Sequence, residues 1–548
     1  MITCALTLSS FELSVLEKKL LAEFDMSEPT ILPHLRTRHL GAFWPNWSLH
    51  KRKCDKTGRE IISVFRPGCP YPVWHKDEWN QSANPPRASL DFNASFFSQA
   101  EKLFRQCPIP HNSGTNNENC EFTDDQWYSK NCYLSHNGYK CENVRYCGAR
   151  VMNIRDCLYC VSSFDLEKCI DCVQCDNCYA VVYGLYLRNC RESAFCYDCR
   201  NCADCILCFN LRNKQYCIGN KQLTKEQYEA QKQQFEYLSL SGYAHCKKLF
   251  QKMMQEIAWH RCQYVDFCEG GEGNYIDHVK NCENTFFYKD GEDTCNNIRG
   301  VGGKTLLDTT SAAIDCERMC RCSAVQLQCY DVRCSFQLTE ARFVDYSAYS
   351  SQIENCYGCC GLLKGKFCIF NTPYSQHEYT ELRQKLIHHM KSTGEWGQIF
   401  PGTFAPNPYD DSWSSFYFPL SSSEQEKLGF FSLPNSEPYQ KNYKNITDIP
   451  LTPLDSTVET TQVTYWDEIS QKPFQILTQD INLCRELSIC LPHTYYMRRI
   501  QENFRWMAYD GTLRSAKCAK SGIKIQTSWP SEYDGRILSE PEYIKIIA

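Results

Sequence analysis

The sequence lacks any apolar run of about 18 residues, so no transmembrane helix is expected. Its first stretch, MITCALTLSSFELSVLEKKL, has neither a basic start nor a clean apolar core before a small-residue cleavage site. A secretory signal is therefore not expected, and the chain reads as cytoplasmic. Charge of one sign is also scarce: 59 Lys and Arg stand against 64 Asp and Glu, a net charge of −5. That balance gives no electrostatic case for global binding to nucleic acid or to an anionic membrane. Catalytic motifs are missing as well. There is no GxSxG, no HExxH and no flanked catalytic cysteine. GVGGKT (Gly300 to Thr305) carries Ile298 where a phosphate loop needs its first glycine, and reads as a Gly-rich bend. No convergent acid, base and nucleophile is legible, so no catalytic residue and no enzyme is expected.

What the chain has is cysteine, 38 in 548 residues. Between Cys157 and Cys217 they fall at 157, 160, 169, 172, 175, 178, 190, 196, 199, 202, 205, 208 and 217, every gap being 3, 6, 9 or 12. Neither a helix nor a flat strand keeps one residue type on one face at multiples of three over such a length. A coil that turns a corner every five or six residues does, which points to a β-solenoid. Many of these cysteines follow Asn or Asp, as in Asp156-Cys157, Asp171-Cys172, Asn201-Cys202 and Asp204-Cys205. Asn and Asp tolerate left-handed backbone and suit the corners, leaving the small apolar side chain beside each to point inward. A cysteine ladder inside and an Asn/Asp ladder at the edges are expected.

Three states are open to these thiols: packed and inert, metal-bound, or disulfide-bonded. The chain is large and carries no signal, which disfavours disulfides. Packed thiols are the favoured reading, because free cysteine is among the most buried residue types. The rival is metal. Cys169, Cys172, Cys175 and Cys178, then Cys199, Cys202, Cys205 and Cys208, would be the ligands of zinc or an iron–sulfur cluster. Structural zinc, however, asks for two knuckles with a spacer, and a continuous three-residue period is what a ladder gives.

Along the chain, the reading is a module over 1–65, an aromatic connector with a helix over 66–117 and a first array over 118–220. A helical connector follows over 221–260, then a second, less regular array over 261–372. A capping helix with an aromatic loop covers 373–431, a linker 432–460 and a second terminal module 461–548. The arrays end alike: Cys205, Cys208, Leu211, Cys217, Asn220 and Tyr228 align with Cys356, Cys359, Leu362, Cys368, Asn371 and Tyr379. Each is followed by a helix with a capping box, Thr224 to Gln227 and Ser375 to Glu378. A helix over a solenoid end covers unpaired strand edge. The terminal modules share Leu-Pro-His (Leu32 to His34, Leu491 to His493), a basic segment and Cys-x-x-[Thr/Ser]-Gly at Cys54 and Cys518.

The order of parts resembles that of cysteine-rich repeat proteins of candidate-phylum bacteria of the Patescibacteria type. It is carried by CDKTGREIISVF, the DEW segment at Asp77, DFNASFF, LRNKQYC with its Tyr-bearing helix, GEWGQIFP from Gly394 and YFPL from Tyr417. The resemblance implies no activity. The terminal modules also look like treble-clef zinc ribbons of the pattern CxxCGKxF…CPxCR. Carried over, the first ligand pair falls on Cys4 and Thr7, and in the other copy on Asp467 and Ser470. The second pair falls on Leu32 and Leu35, and on Leu491 and Thr494. Most of these cannot bind zinc, so both sites read as dead, with His34, Cys54, His493 and Cys518 left over.

The expected fold is mainly β: two cysteine-rich β-solenoid arrays, each capped by a helix, flanked by small α+β zinc-ribbon-like modules. The expected function is a non-enzymatic scaffold that binds a protein partner or assembles with itself, without cofactor. The alternatives are a zinc or iron–sulfur protein, or a nucleic-acid binder acting through HKRK (His50 to Lys53) and YYMRRI (Tyr495 to Ile500), whose blander reading is a solvated helix face. His245, His260, His278, His388 and His389 read as structural or surface residues.

Overall fold

The computed structural model describes residues 1–82, 84–164, 190–235, 239–433, 443–504 and 511–547. The chain is mainly β, and its dominant element is a β-solenoid of parallel, stacked coils. The sides of the coil are shorter than the sequence suggests. A residue with φ near +50° recurs at every third position, for example at Asn131, Leu134, Asn137, Lys140, Asn143 and Tyr146. Each such residue turns the chain, so a corner falls every three residues rather than every five or six. Equivalent residues on neighbouring coils then lie 12 apart, as in the parallel pairs Asp124↔His136 and Gln126↔Gly138.

Within a triplet each residue has one task. Tyr133 bridges to Arg145 on the next coil, Leu134 takes the left-handed corner, and Ser135 is buried in the bore. An L-residue held left-handed costs about 1 kcal/mol. Asn and Asp lower that cost, and here they also form ladders. The Nδ2 of Asn119 donates to Asn131, that of Asn131 to Asn143, and that of Asn143 to Asp156, at 3.2, 3.0 and 2.8 Å. Where the corner is aromatic, ring stacking offsets the cost instead. Tyr146 stacks on Tyr159 at 5.1 Å, and Tyr275 on Phe287 at 5.0 Å.

The chain divides into two compact units. The first comprises Met1–Asn112, Gln263–Pro434 and Asp510–Arg514, so the N-terminal segment packs on coils far away in sequence. Its parallel sheet runs from Val265–Asp266 to Gly365–Ile369. An antiparallel strand, Thr372–Pro373, pairs with the last coil, and the helix Gln376–Ser392 follows with its capping box formed. Tyr379 of that helix lies against Phe367, ring centroids 5.7 Å apart. The helices Val15–Glu23 and Pro33–Gly41 rest on the strand Lys304–Ala313 through a buried ion cluster. There Arg36 pairs with Glu17 and, at 2.9 Å, with Asp308, which also faces Arg321 at 3.6 Å. Burial pushes the Glu17 carboxyl up, and so does Asp308, while Arg36 holds it down. GVGGKT is a bend, as expected: Gly302 and Gly303 have φ of 71° and 96°, and Lys304 pairs with Glu292 at 3.4 Å.

The second unit comprises Ser113–Cys262, Asn435–Tyr509 and Ser515–Ala548. Its coils end as those of the first unit do. The strand Gln215–Ile218 pairs antiparallel with Lys221–Gln222, and the helix Lys225–Lys232 follows, with Tyr228 5.7 Å from Tyr216. A three-stranded sheet of Lys444–Asn445, Tyr465–Asp467 and Lys472–Phe474 leads into the helix Thr478–Glu486. That helix is anchored to the coils by Asp480, which accepts from the Tyr146 hydroxyl at 2.8 Å and faces Arg145 at 3.3 Å.

Candidate functional site

The bore of the coils is the first place to look for chemistry. Every described cysteine from Cys120 to Cys217 donates its thiol proton to a backbone carbonyl. The usual acceptor is the carbonyl two residues earlier: Cys199 to Tyr197 at 3.6 Å, Cys202 to Arg200 at 3.4 Å, Cys205 to Ala203 and Cys208 to Ile206 at 3.3 Å. Several thiols also reach a carbonyl of the next coil, nine residues on, as Cys199 does to Cys208 and Cys208 to Cys217. Serine takes the same place elsewhere, since Ser135 donates to Tyr133, and Ser347 to Asp345. The inward position therefore asks for a small group with one donatable proton. Burial pushes the Cys196 and Cys199 thiols up, and the Cys141 thiol up to about 12.

Of the eight sequence-derived ligand positions, Cys199, Cys202, Cys205 and Cys208 are buried in one ladder. Cys169, Cys172, Cys175 and Cys178 lie outside the described residues. Every cysteine of the described residues is a free thiol. Among the described residues no group of three or more His, Cys, Asp or Glu is placed to hold a metal ion.

The terminal segments hold a second and different set of thiols. Four tight hairpin turns share one geometry. They run from Cys4 to Leu8, Cys54 to Gly58, Asp467 to Gln471 and Cys518 to Gly522, each ending on a positive φ of 61°, 71°, 52° and 68°. The sulfur accepts rather than donates. The N–H of His75 donates to the Cys54 Sγ at 3.3 Å, and the N–H groups of Ser521 and Ser539 donate to that of Cys518 at 3.5 and 3.3 Å. Burial works against the Cys518 thiolate, but the hydroxyls and N–H groups of Ser521 and Ser539 outweigh it and bring the thiol down to about 6. Cys4 and Cys54 are lowered in the same way, against burial, by the hydroxyls of Thr7 and Thr57 and by backbone N–H groups.

In the Asp467 turn a carboxylate replaces the sulfur. It accepts from the N–H of Ile469 at 3.0 Å, the hydroxyl of Ser470 at 3.0 Å, the N–H of Tyr495 at 2.8 Å and Arg498 at 2.8 Å. A carboxylate–guanidinium pair thus fills the centre of that turn. Sequence reasoning placed Asp467 and Ser470 on a lost ligand pair, but missed Arg498, in the first turn of the helix Tyr496–Phe504. Of His34, Cys54, His493 and Cys518, His493 bonds the carbonyls of Leu491 and Ile449, Cys54 belongs to the first unit and Cys518 to the second.

The exposed coil faces carry alternating charge. In the second unit Lys130 pairs with Glu118 at 3.2 Å, and Arg155 with Glu142 at 3.1 Å, on successive coils. In the first unit Lys304 pairs with Glu292 at 3.4 Å, and Lys366 with Glu354 at 3.2 Å. No protein family, no curated protein and no solved structure matches the chain. Its class is that defined by its own geometry, a cysteine-lined β-solenoid protein.

Proposed function

We propose that this protein is a non-enzymatic scaffold, and that its ruled coil faces bind a protein partner or further copies of itself. One observation carries the reading. The thiols of the bore spend their protons on backbone carbonyls, so what the coils offer outward is a flat face of charge and amide rungs at strand spacing, about 4.8 Å. In this reading the helices Lys225–Lys232 and Gln376–Ser392 are end caps that leave the faces, and not the edges, for association. The terminal modules are ribbon-like pieces in which hydrogen bonds stand where a metal would. The nucleic-acid alternative is the weaker reading: His50 and Arg52 are buried and only Lys51 and Lys53 of that strand face outward, Arg498 pairs with Asp467, and Arg499 lies 4.2 Å from the Tyr159 ring.

The test is cross-linking of the full chain in cells, read against the charge reversals Lys130→Glu and Lys304→Glu. Cross-links that map to the charge rungs and vanish in the reversed variants are expected. Cross-links that map elsewhere, or that survive the reversals unchanged, overturn the reading.

A further inference from the structure

The scaffold reading leaves open what a partner would present, and a groove in the second unit answers it. Four turns of coil form one wall and the helix Thr478–Glu486 the other, enclosing about 870 Å³. The volume suits a few residues of chain. On the coil wall stand the amide ladder of Asn119, Asn131 and Asn143, and beside it Glu121, Phe122 and Tyr133. Phe122 is 43% exposed and meets Tyr133 edge-on at 5.7 Å. On the helix wall Gln479, Asn482, Leu483 and Glu486 follow one another at the spacing of a single helix face.

Carboxylates outnumber cations in the groove. Glu121, Asp156 and Glu486 line it, with Arg145, which faces the buried Asp480. The Tyr133 hydroxyl registers the same field: burial pushes it up, and so do the carboxylates of Asp480 and Glu121. Exposed aromatic faces among carboxylates favour guanidinium and ammonium groups. Amide rungs at strand spacing suit the backbone of an extended chain.

We propose that this groove binds an extended basic peptide segment of a protein partner, its Arg or Lys side chains meeting Glu121 and the Phe122–Tyr133 rings. This rests on the scaffold reading above and names one partner for it. A neutral oligosaccharide would use the same rings and amides but gain nothing from the carboxylates, and is the weaker fit.

The experiment is fluorescence anisotropy of the full chain with a labelled peptide of alternating Arg and Ser. A Glu/Ser peptide serves as the charge control and a linear maltooligosaccharide as competitor. Binding of the Arg/Ser peptide that weakens with salt is expected. Glu121→Arg should weaken it by at least about tenfold, whereas Glu229→Arg, outside the groove on the helix Lys225–Lys232, should leave it unchanged. Phe122→Ala, at a half-exposed ring, should weaken it severalfold, with circular dichroism of the variant matching wild type. Equal affinity for wild type and Glu121→Arg, equal loss in Glu229→Arg, or displacement by the maltooligosaccharide overturns the proposal. The titration reads the groove and the cross-links read the charge rungs, so either can fail without the other.

Discussion

The cysteines of the coils and those of the terminal hairpins are one residue type under opposite hydrogen bonding. In the coils Cys199 gives its proton to the carbonyl of Tyr197, and burial raises its pKa. In the hairpins Cys518 receives N–H groups from Ser521 and Ser539, and its pKa falls to about 6. Burial alone does not distinguish them, since both thiols are almost fully covered. The direction of the bonds does. Carbonyl acceptors favour the protonated sulfur, and a turn of N–H groups favours the anion.

The largest expected effect comes from putting the same carboxylate into both places. Cys196→Asp buries an unpaired charge in the bore and should destabilise the second unit by about 3–5 kcal/mol. Cys518→Asp should be tolerated, because Asp467 already occupies that position in a sister turn. Thermal unfolding of the two variants checks the contrast, and equal loss in both would erase it. Next in size is Asp467→Ala, which strands three N–H groups and removes one of the carboxylate partners of Arg498, and should cost about 3 kcal/mol by denaturant titration.

Acid should separate the regions further. Burial lowers the pKa of His136 to about 3 and that of His260 to about 4, from 6.5. Both stay neutral when folded, so the unfolded chain binds more protons between those values. Their contribution is complete above pH 6.5 and is lost as pH falls toward 3–4, about 2 kcal/mol per histidine at pH 5. Cys518 acts in a higher window. With its pKa lowered from 9.0 to about 6, it adds stability that is present above pH 9 and lost as pH falls through 6. The stability difference between wild type and Cys518→Ser should therefore grow as pH rises from 6 to 9. Smallest of all is Cys199→Ser, which keeps a donor in the bore as Ser135 and Ser347 do, and should shift stability by no more than about 1 kcal/mol.

Much of the coil was legible in the residues. The cysteine period, the Asn and Asp corners and both capping boxes state their structural role locally. The three-residue side was not legible, because Phe122, Leu134, Tyr146 and Tyr275 stand at left-handed corners where local preference argues against them. Stacking between coils overrides that preference, and no single triplet reveals it. Arg36, Glu17 and Asp308 come together only because the N-terminal helices dock on distant coils, and Arg498 meets Asp467 only because the helix Tyr496–Phe504 packs back on the turn. The groove likewise needs the helix Thr478–Glu486 laid beside coils more than three hundred residues earlier.

The central claim is that the ladder is a reduced, metal-free packing device. Its most direct test is metal content together with thiol count, on full-length protein purified anaerobically without chelator. The account predicts no stoichiometric metal, with most of the 38 thiols unreactive until the chain is denatured. Several equivalents of zinc or iron per chain, released together with the thiols, would contradict it.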